Sequence, residues 1–176
     1  RVRLNSDKPE SYASAIERIR FVGGYLDSVD IELSDHLNAV IGGRGTGKST
    51  LLECIRYAFG LEPKTPNAIK QHKSVIDTNL GKERGLVEIT LRSLVMHGRR
   101  FKVSRKHGSD PVVVDSQENI SPYLPTDLLP GIELYGQNEI YEMTRDEQSR
   151  NQLIERFLEG EHEKFDVDIA KVLAKL

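Results

Sequence analysis

The stretch Gly42-Gly43-Arg44-Gly45-Thr46-Gly47-Lys48-Ser49-Thr50 has the spacing G-x-x-x-x-G-K-[ST] of a phosphate-cradling loop. Its flanks fit that reading. Leu37, Ala39, Val40 and Ile41 form a short apolar run entering the loop, as a buried strand would. Ser49 to Phe59 leaves it with Leu51, Leu52, Ile55, Ala58 and Phe59 at helical spacing. Bare glycine backbone lets successive N–H groups face phosphate oxygens, and a helix N-terminus adds the positive end of its dipole. A glycine-rich turn before an ordinary helix is the plainer alternative, and the strand–loop–helix context selects against it. The expected nucleotide-binding residues are Gly43, Arg44, Gly45, Thr46, Gly47, Lys48, Ser49 and Thr50. Lys48 would reach the β- and γ-phosphates of ATP, and the Ser49 hydroxyl would ligate Mg²⁺.

With 176 residues, the chain is long enough for one domain with a real core. A net charge of -2 gives no global attraction to nucleic acid or membrane. Cys54 is the only cysteine, so no internal disulfide can form, and a reducing cytoplasm is the expected location. No apolar run approaches the roughly 18 residues of a membrane span, and no signal-peptide core opens the chain. It begins at Arg1 rather than Met, so further motifs are expected outside it.

Lys8 to Glu17, with Pro9 near its start, reads as a short helix. Ile19 to Val22 and Val29 to Leu33 read as two strands broken by Gly23-Gly24, with the second alternating in the manner of a half-exposed antiparallel pair. Gly60 and Pro63 stop the helix after the loop. Lys64 to Arg84 is polar and turn-rich and carries no clear element. Val87, Ile89 and Leu91, then Phe101 and Val103, alternate with polar residues and predict a hairpin through His97-Gly98. Pro111 to Val114 is a candidate further strand, and Ile132, Leu134 and Tyr135 form an apolar strand leading into Gly136-Gln137. From about Arg145 the pattern turns helical, with Leu153, Ile154, Phe157 and Leu158 on one face. Phe165, Ile169, Val172 and Leu176 then follow a/d spacing for under two heptads, which fits either a coiled-coil start or a packing helix. Residues 1–160 are thus read as a nucleotide-binding lobe and 161–176 as that final segment.

Phosphate loops serve many enzymes, so the subclass must come from elsewhere. No N-K-x-D base-reading motif of GTP switches is present. Hydrolysis needs an acidic residue on a buried strand, and the one candidate is Asp115 after Val112-Val113-Val114. Ser116 follows where many ATPases have a catalytic Glu, and the basic hairpin before it points to a peripheral strand. The metal-holding aspartate is therefore expected outside this chain.

Three segments carry a closer likeness: Val29-Asp30-Ile31-Glu32-Leu33, Leu37-Asn38-Ala39-Val40-Ile41 running into the phosphate loop, and Leu52-Glu53-Cys54-Ile55-Arg56-Tyr57-Ala58-Phe59-Gly60. Together they resemble the N-terminal lobe of an SMC/RecN/RecF-type ABC ATPase. Arg44 stands where that family often has Asn, and Cys54 where it often has Ala. Leu134-Tyr135-Gly136-Gln137-Asn138-Glu139 is similar to the family's Q-loop, in which Gln137 would hold Mg²⁺ and the attacking water through a neutral carboxamide. The resemblance covers Ile19 to Leu158. It implies an α/β P-loop NTPase fold: an ABC/SMC-like head N-lobe with an antiparallel β-subdomain and a C-terminal helix leading to a coiled coil. It also implies Lys48 and Gln137 in catalysis, Ser49 and Gln137 on Mg²⁺, and a C-lobe of the same protein supplying the signature motif and catalytic Glu. The expected partners are that lobe, a second head that dimerises on ATP, and DNA. More narrowly, Arg1 to Arg20 and the Ile-Gly-Gly-Arg-Gly form of the loop resemble TrlF-type ATPases, linked to phosphoesterase domains and phage defence.

Arg92, Arg99, Arg100, Lys102, Arg105 and Lys106 have no acidic residue among them and could line a nucleic-acid backbone, although a solvated strand face is the favoured reading in a net acidic chain. Lys70, His72 and Lys73 have a weaker claim to DNA or a partner's nucleotide. Cys54 falls among apolar helix positions, as a core residue would. Two other readings of the chain stay open: a self-contained kinase using Asp115, and an assembly module gated by ATP with negligible turnover.

Overall fold

The alternation at Val87, Ile89 and Leu91 becomes a strand whose apolar side chains are fully buried while Glu88, Thr90 and Arg92 stay on the other face. The computed structural model describes residues 13–81, 84–136, 139–145 and 151. Five antiparallel strands form one sheet in the order β2-β1-β3-β4-β5. They are β1 (Ala15–Val22), β2 (Asp30–Glu32), β3 (Leu86–Ser93), β4 (Arg99–Lys106) and β5 (Val112–Asp115). Register puts Ile31, Ile19, Ile89, Val103 and Val113 in one row across all five strands. The β3–β4 hairpin turns through His97 and Gly98, both at positive φ, at the predicted dipeptide.

One face of the sheet is covered by helix α1 (Lys48–Phe59), whose Leu51, Cys54, Ile55, Ala58 and Phe59 join the sheet's apolar row in a single core. Gly60 ends α1 in the left-handed conformation, its N–H bonded to the Arg56 and Tyr57 carbonyls. Helix α2 (Pro66–Ile76) follows, then a π-helical turn at Asp77–Gly81 that buries Leu80. Thr65 caps α2 by accepting from the Ala68 N–H at 3.3 Å, with Pro66 at the first helical position. A short helix α3 (Pro125–Leu128) completes the first unit, residues 1–136. The second unit, residues 137–176, is described in helix α4 (Glu139–Arg145), where the Arg145 guanidinium donates to the Tyr141 hydroxyl one turn earlier.

Three expectations are corrected. Ala15 to Glu17, read as the end of a helix, lie in β1, because their pairing with β3 outweighs local helix preference. Leu37 to Ile41, read as a buried strand, pair with no strand among the described residues, and Leu37 and Ile41 are 94% and 91% exposed. Ile132 to Gly136 likewise has no ladder. Both runs carry strand-like side chains, and among the described residues neither has a neighbouring strand to pair with. The final helical pattern and the heptad-like spacing, Leu153 to Leu176, fall outside the described residues.

Two of the basic residues on this hairpin, Arg92 and Arg100, are paired with carboxylates. Glu17 accepts from Arg100 at 2.8 Å and sits 3.9 Å from Arg92, which also pairs with Asp35. Arg105 turns away to donate to the Tyr57 carbonyl and stacks over the Tyr57 ring. On the same solvent face Arg18 forks onto Asp30, raising the guanidinium's pKa and lowering the carboxyl's.

At the far edge of the sheet the Asp115 carboxylate accepts from the Asn119 N–H at 3.0 Å and the Gln117 N–H at 2.8 Å. Those backbone donors hold its pKa below the usual 3.8. The stability it contributes is therefore complete above the unfolded value and lost as pH falls through the lower folded value. Urea unfolding followed from about pH 6 to about pH 2 should show the midpoint falling at the acid end, and Asp115→Asn should fall less steeply there.

Candidate functional site

The phosphate loop lies between the exposed run Leu37 to Ile41 and the first turn of α1. Gly45 and Gly47 take φ of 80° and 89°, the left-handed region open to glycine, and bend the chain into the helix. Gly47 is the N-cap of α1 and offers no side chain; the first turn carries no acidic residue. The leading N–H groups of the helix are thus left to an external anion, with the dipole's positive end behind them. The Lys48 ammonium folds over the loop and donates to the Gly42 carbonyl at 2.7 Å and to the Gly43 carbonyl. The Thr46 hydroxyl donates to the Gly43 carbonyl at 2.9 Å.

These residues face a cavity of about 380 Å³ lined by Gly45, Thr46, Gly47, Lys48, Ser49 and Thr50, together with Tyr25 and Asn79. The size and donor set fit a polyphosphate: glycine backbone, one lysine and the hydroxyls of Tyr25, Thr46, Ser49 and Thr50, with no carboxylate at its lining. Of the expected nucleotide-binding residues, Gly45 to Thr50 line this cavity, and Gly43 and Arg44 lie exposed on the loop. Gln137, the expected magnesium and water ligand, lies outside the described residues.

Tyr25 and Asn79 went unmarked in the sequence. The Tyr25 hydroxyl donates to the Gly45 carbonyl at 2.9 Å, and its main-chain N–H donates to the Asn79 carbonyl at 2.9 Å. The β1–β2 loop is thereby tied to both the phosphate loop and the π-helical turn. No local spacing signals these residues, which come from turns remote in the chain.

Behind the cavity, α1 carries a buried polar chain. Glu53 lies 2.6 Å from His72 Nδ1 on α2 and 3.3 Å from Arg56 Nε, and Arg56 donates through Nη2 to the Leu134 carbonyl at 3.1 Å. Arg56 is 1% exposed, rare for an arginine and consistent only with a paired charge. Cys54 beside it is fully buried, and burial with the neighbouring Glu53 pushes its thiol up to about 12, so it is a core residue and no nucleophile. Asp115, the candidate metal ligand of a self-contained enzyme, is on the antiparallel edge strand with its carboxylate engaged by backbone.

A methyl group at Gly47 would sit 3.1 Å from Leu26 and 3.2 Å from Tyr25, at a φ that L residues avoid. Gly47→Ala is expected to weaken nucleotide binding by about tenfold or more, read by calorimetry, while circular dichroism reports an unchanged sheet.

Residues 16–170 match the AAA_23 family, described as an AAA domain. Two similar proteins are DNA-repair factors by name. The DNA double-strand break repair Rad50 ATPase of Archaeoglobus fulgidus is 28% identical over 135 residues, covering 70% of this chain and 14% of that protein. The DNA repair protein RecN of Aquifex aeolicus is 30% identical over 131 residues, covering 73% of this chain and 21% of that protein. The chain thus spans less than a quarter of either relative. The match over most of the chain, on a fold with an antiparallel sheet behind a phosphate loop, places it in the AAA_23 family of AAA domains, as the N-terminal region of an SMC/RecN/Rad50-like ABC-type ATPase.

Proposed function

We propose that the chain is the ATP-binding half of an SMC-like ATPase head, in which two heads close on ATP and separate on hydrolysis to drive DNA handling. The observation that carries the reading is the uncapped N-terminus of α1, entered through left-handed Gly45 and Gly47 with Lys48 folded over the loop. In this reading the N–H groups of Gly43 to Thr50 hold the phosphates, and Lys48 leaves the loop carbonyls to meet the β- and γ-phosphates. Ser49 and Gln137 would hold Mg²⁺, which when bound neutralises charge on the transferring phosphate. Gln137 would also orient the attacking water.

The two strand-like runs without ladders support a C-lobe partner. Leu37, Val40 and Ile41 leave apolar surface exposed beside the phosphate loop. A sheet contributed by the C-lobe of the same protein would pair them and bring the catalytic Glu. The repair functions of the similar Rad50 and RecN proteins support DNA as the partner. Phage defence and a coiled coil beginning near residue 161 belong to this proposal on sequence resemblance alone. The ion pairs of Arg92 and Arg100 with Glu17 weaken the claim of those two arginines to a DNA contact. No helix among the described residues is long and apolar enough to cross a membrane. The engaged carboxylate of Asp115 weighs against a self-contained kinase.

Phosphate release at saturating Mg-ATP, with calorimetry for binding, tests the reading. The chain alone should bind ATP with near-zero turnover, gain turnover when the C-lobe is joined to it, and lose binding about tenfold or more on Lys48→Ala. Turnover of about one per second by the chain alone would overturn the half-site reading. ATP-dependent dimerisation without turnover in the complete protein would instead favour an assembly module.

A further inference from the structure

Two residues of the cavity lining come from outside the phosphate loop, Tyr25 and Asn79, and neither carries a charge for the phosphates. Asn79 lies in the π-helical turn, a rare element that concentrates at functional sites. That turn is pinned from several sides. Leu80 is buried in the core, the Gly85 N–H donates to the Leu80 carbonyl at 2.8 Å, and Asp77 lies 3.1 Å from His107 Nε2. The β1–β2 loop closes on it through Gly24 at φ 79°, where a Cβ would overlap the Asn79 carbonyl.

The Asn79 carboxamide has a fixed sense. Its nitrogen donates to the Val75 carbonyl at 2.6 Å, and since a carbonyl only accepts, Oδ1 is the end turned away. Oδ1 accepts no hydrogen bond among the described residues. A brace at the end of α2 accounts for the nitrogen. It does not account for the open oxygen or for the residue's place in the cavity wall. Phosphate oxygens are acceptors and offer that oxygen nothing, whereas a nucleoside brings neutral donors in its ribose hydroxyls and, for adenine, its amino group.

We infer that Asn79 contacts the nucleoside part of the bound nucleotide, its carboxamide oxygen accepting from a ribose hydroxyl or from the adenine amino group. The inference rests on the reading of Gly45 to Thr50 as the phosphate site. Tyr25 is the positioning residue between the two ends. Its hydroxyl holds the Gly45 carbonyl and its main-chain N–H holds the Asn79 carbonyl, so the phosphate and nucleoside contacts keep one spacing.

The test is calorimetry on the complete protein with Mg²⁺ withheld to stall phosphoryl transfer. The probes are ATP, inorganic tripolyphosphate, dideoxy-ATP lacking both ribose hydroxyls, and inosine triphosphate with a carbonyl in place of the amino group. Asn79→Ala should weaken ATP about fivefold, as expected for one neutral hydrogen bond, and tripolyphosphate less than about twofold. In the unaltered protein one of the two analogues should bind about fivefold more weakly than ATP, and in Asn79→Ala that difference should vanish. Loss with dideoxy-ATP assigns the ribose; loss with inosine triphosphate assigns the amino group. Equal weakening of ATP and tripolyphosphate in Asn79→Ala would leave only a structural brace and overturn the inference. Both analogues binding the unaltered protein as tightly as ATP would overturn it without recourse to any variant. Unchanged tripolyphosphate affinity in Lys48→Ala would instead remove the phosphate-loop reading, and this inference with it.

Discussion

Everything at the site hangs on the burial of one helix face against one sheet face. Leu51, Cys54, Ile55, Ala58 and Phe59 lie against the row built from Ile19, Phe21, Val87, Ile89, Leu91, Phe101 and Val103. Each large side chain so buried contributes about 1.5–3 kcal/mol relative to exposure, so a few of them match the whole net stability of a typical domain. That contact fixes the axis of α1, and the axis fixes where its N–H groups and dipole point. The glycines ahead of the helix contribute little to stability. They supply the left-handed corner that lets an anion approach those groups.

Function here is local, while the support for it is not. Gly45 to Ser49 are consecutive in the chain, and the loop is held by Tyr25 of the β1–β2 loop, itself tied to the π-helical turn. Tyr25 grips the Gly45 carbonyl, Asn79 grips Tyr25, and Glu53 on α1 is braced by His72.

The helix, the hairpin and the phosphate loop were legible because each has a short-range signature: a 3.6-residue apolar period, strict alternation around His97-Gly98, and glycine spacing. Helix α2 was missed although Thr65-Pro66 is a cap followed by a proline at the first helical position, since its surroundings are polar and its buried face is little more than Ile76. The strand readings of Leu37 to Ile41 and Ile132 to Tyr135 failed for another reason. Apolar composition reports what a segment could pair with, and among the described residues neither finds a partner strand. Tyr25, Asn79 and the Glu53–His72–Arg56 chain were invisible because contacts between distant turns leave no period in the sequence. The basic hairpin looked free because Glu17, which neutralises Arg100, lies 83 residues away.

On the proposed function, this chain is half of a nucleotide site whose sheet is finished by another lobe. Backbone hydrogen exchange at Leu37 to Ile41 tests it most directly, measured in the chain alone and again with the C-lobe joined to it. The account predicts exchange near the unprotected rate in the chain alone and slowing of about a hundredfold or more with the lobe present, as strand bonds form. Equal exchange in both states, with the lobe folded and attached, would contradict it.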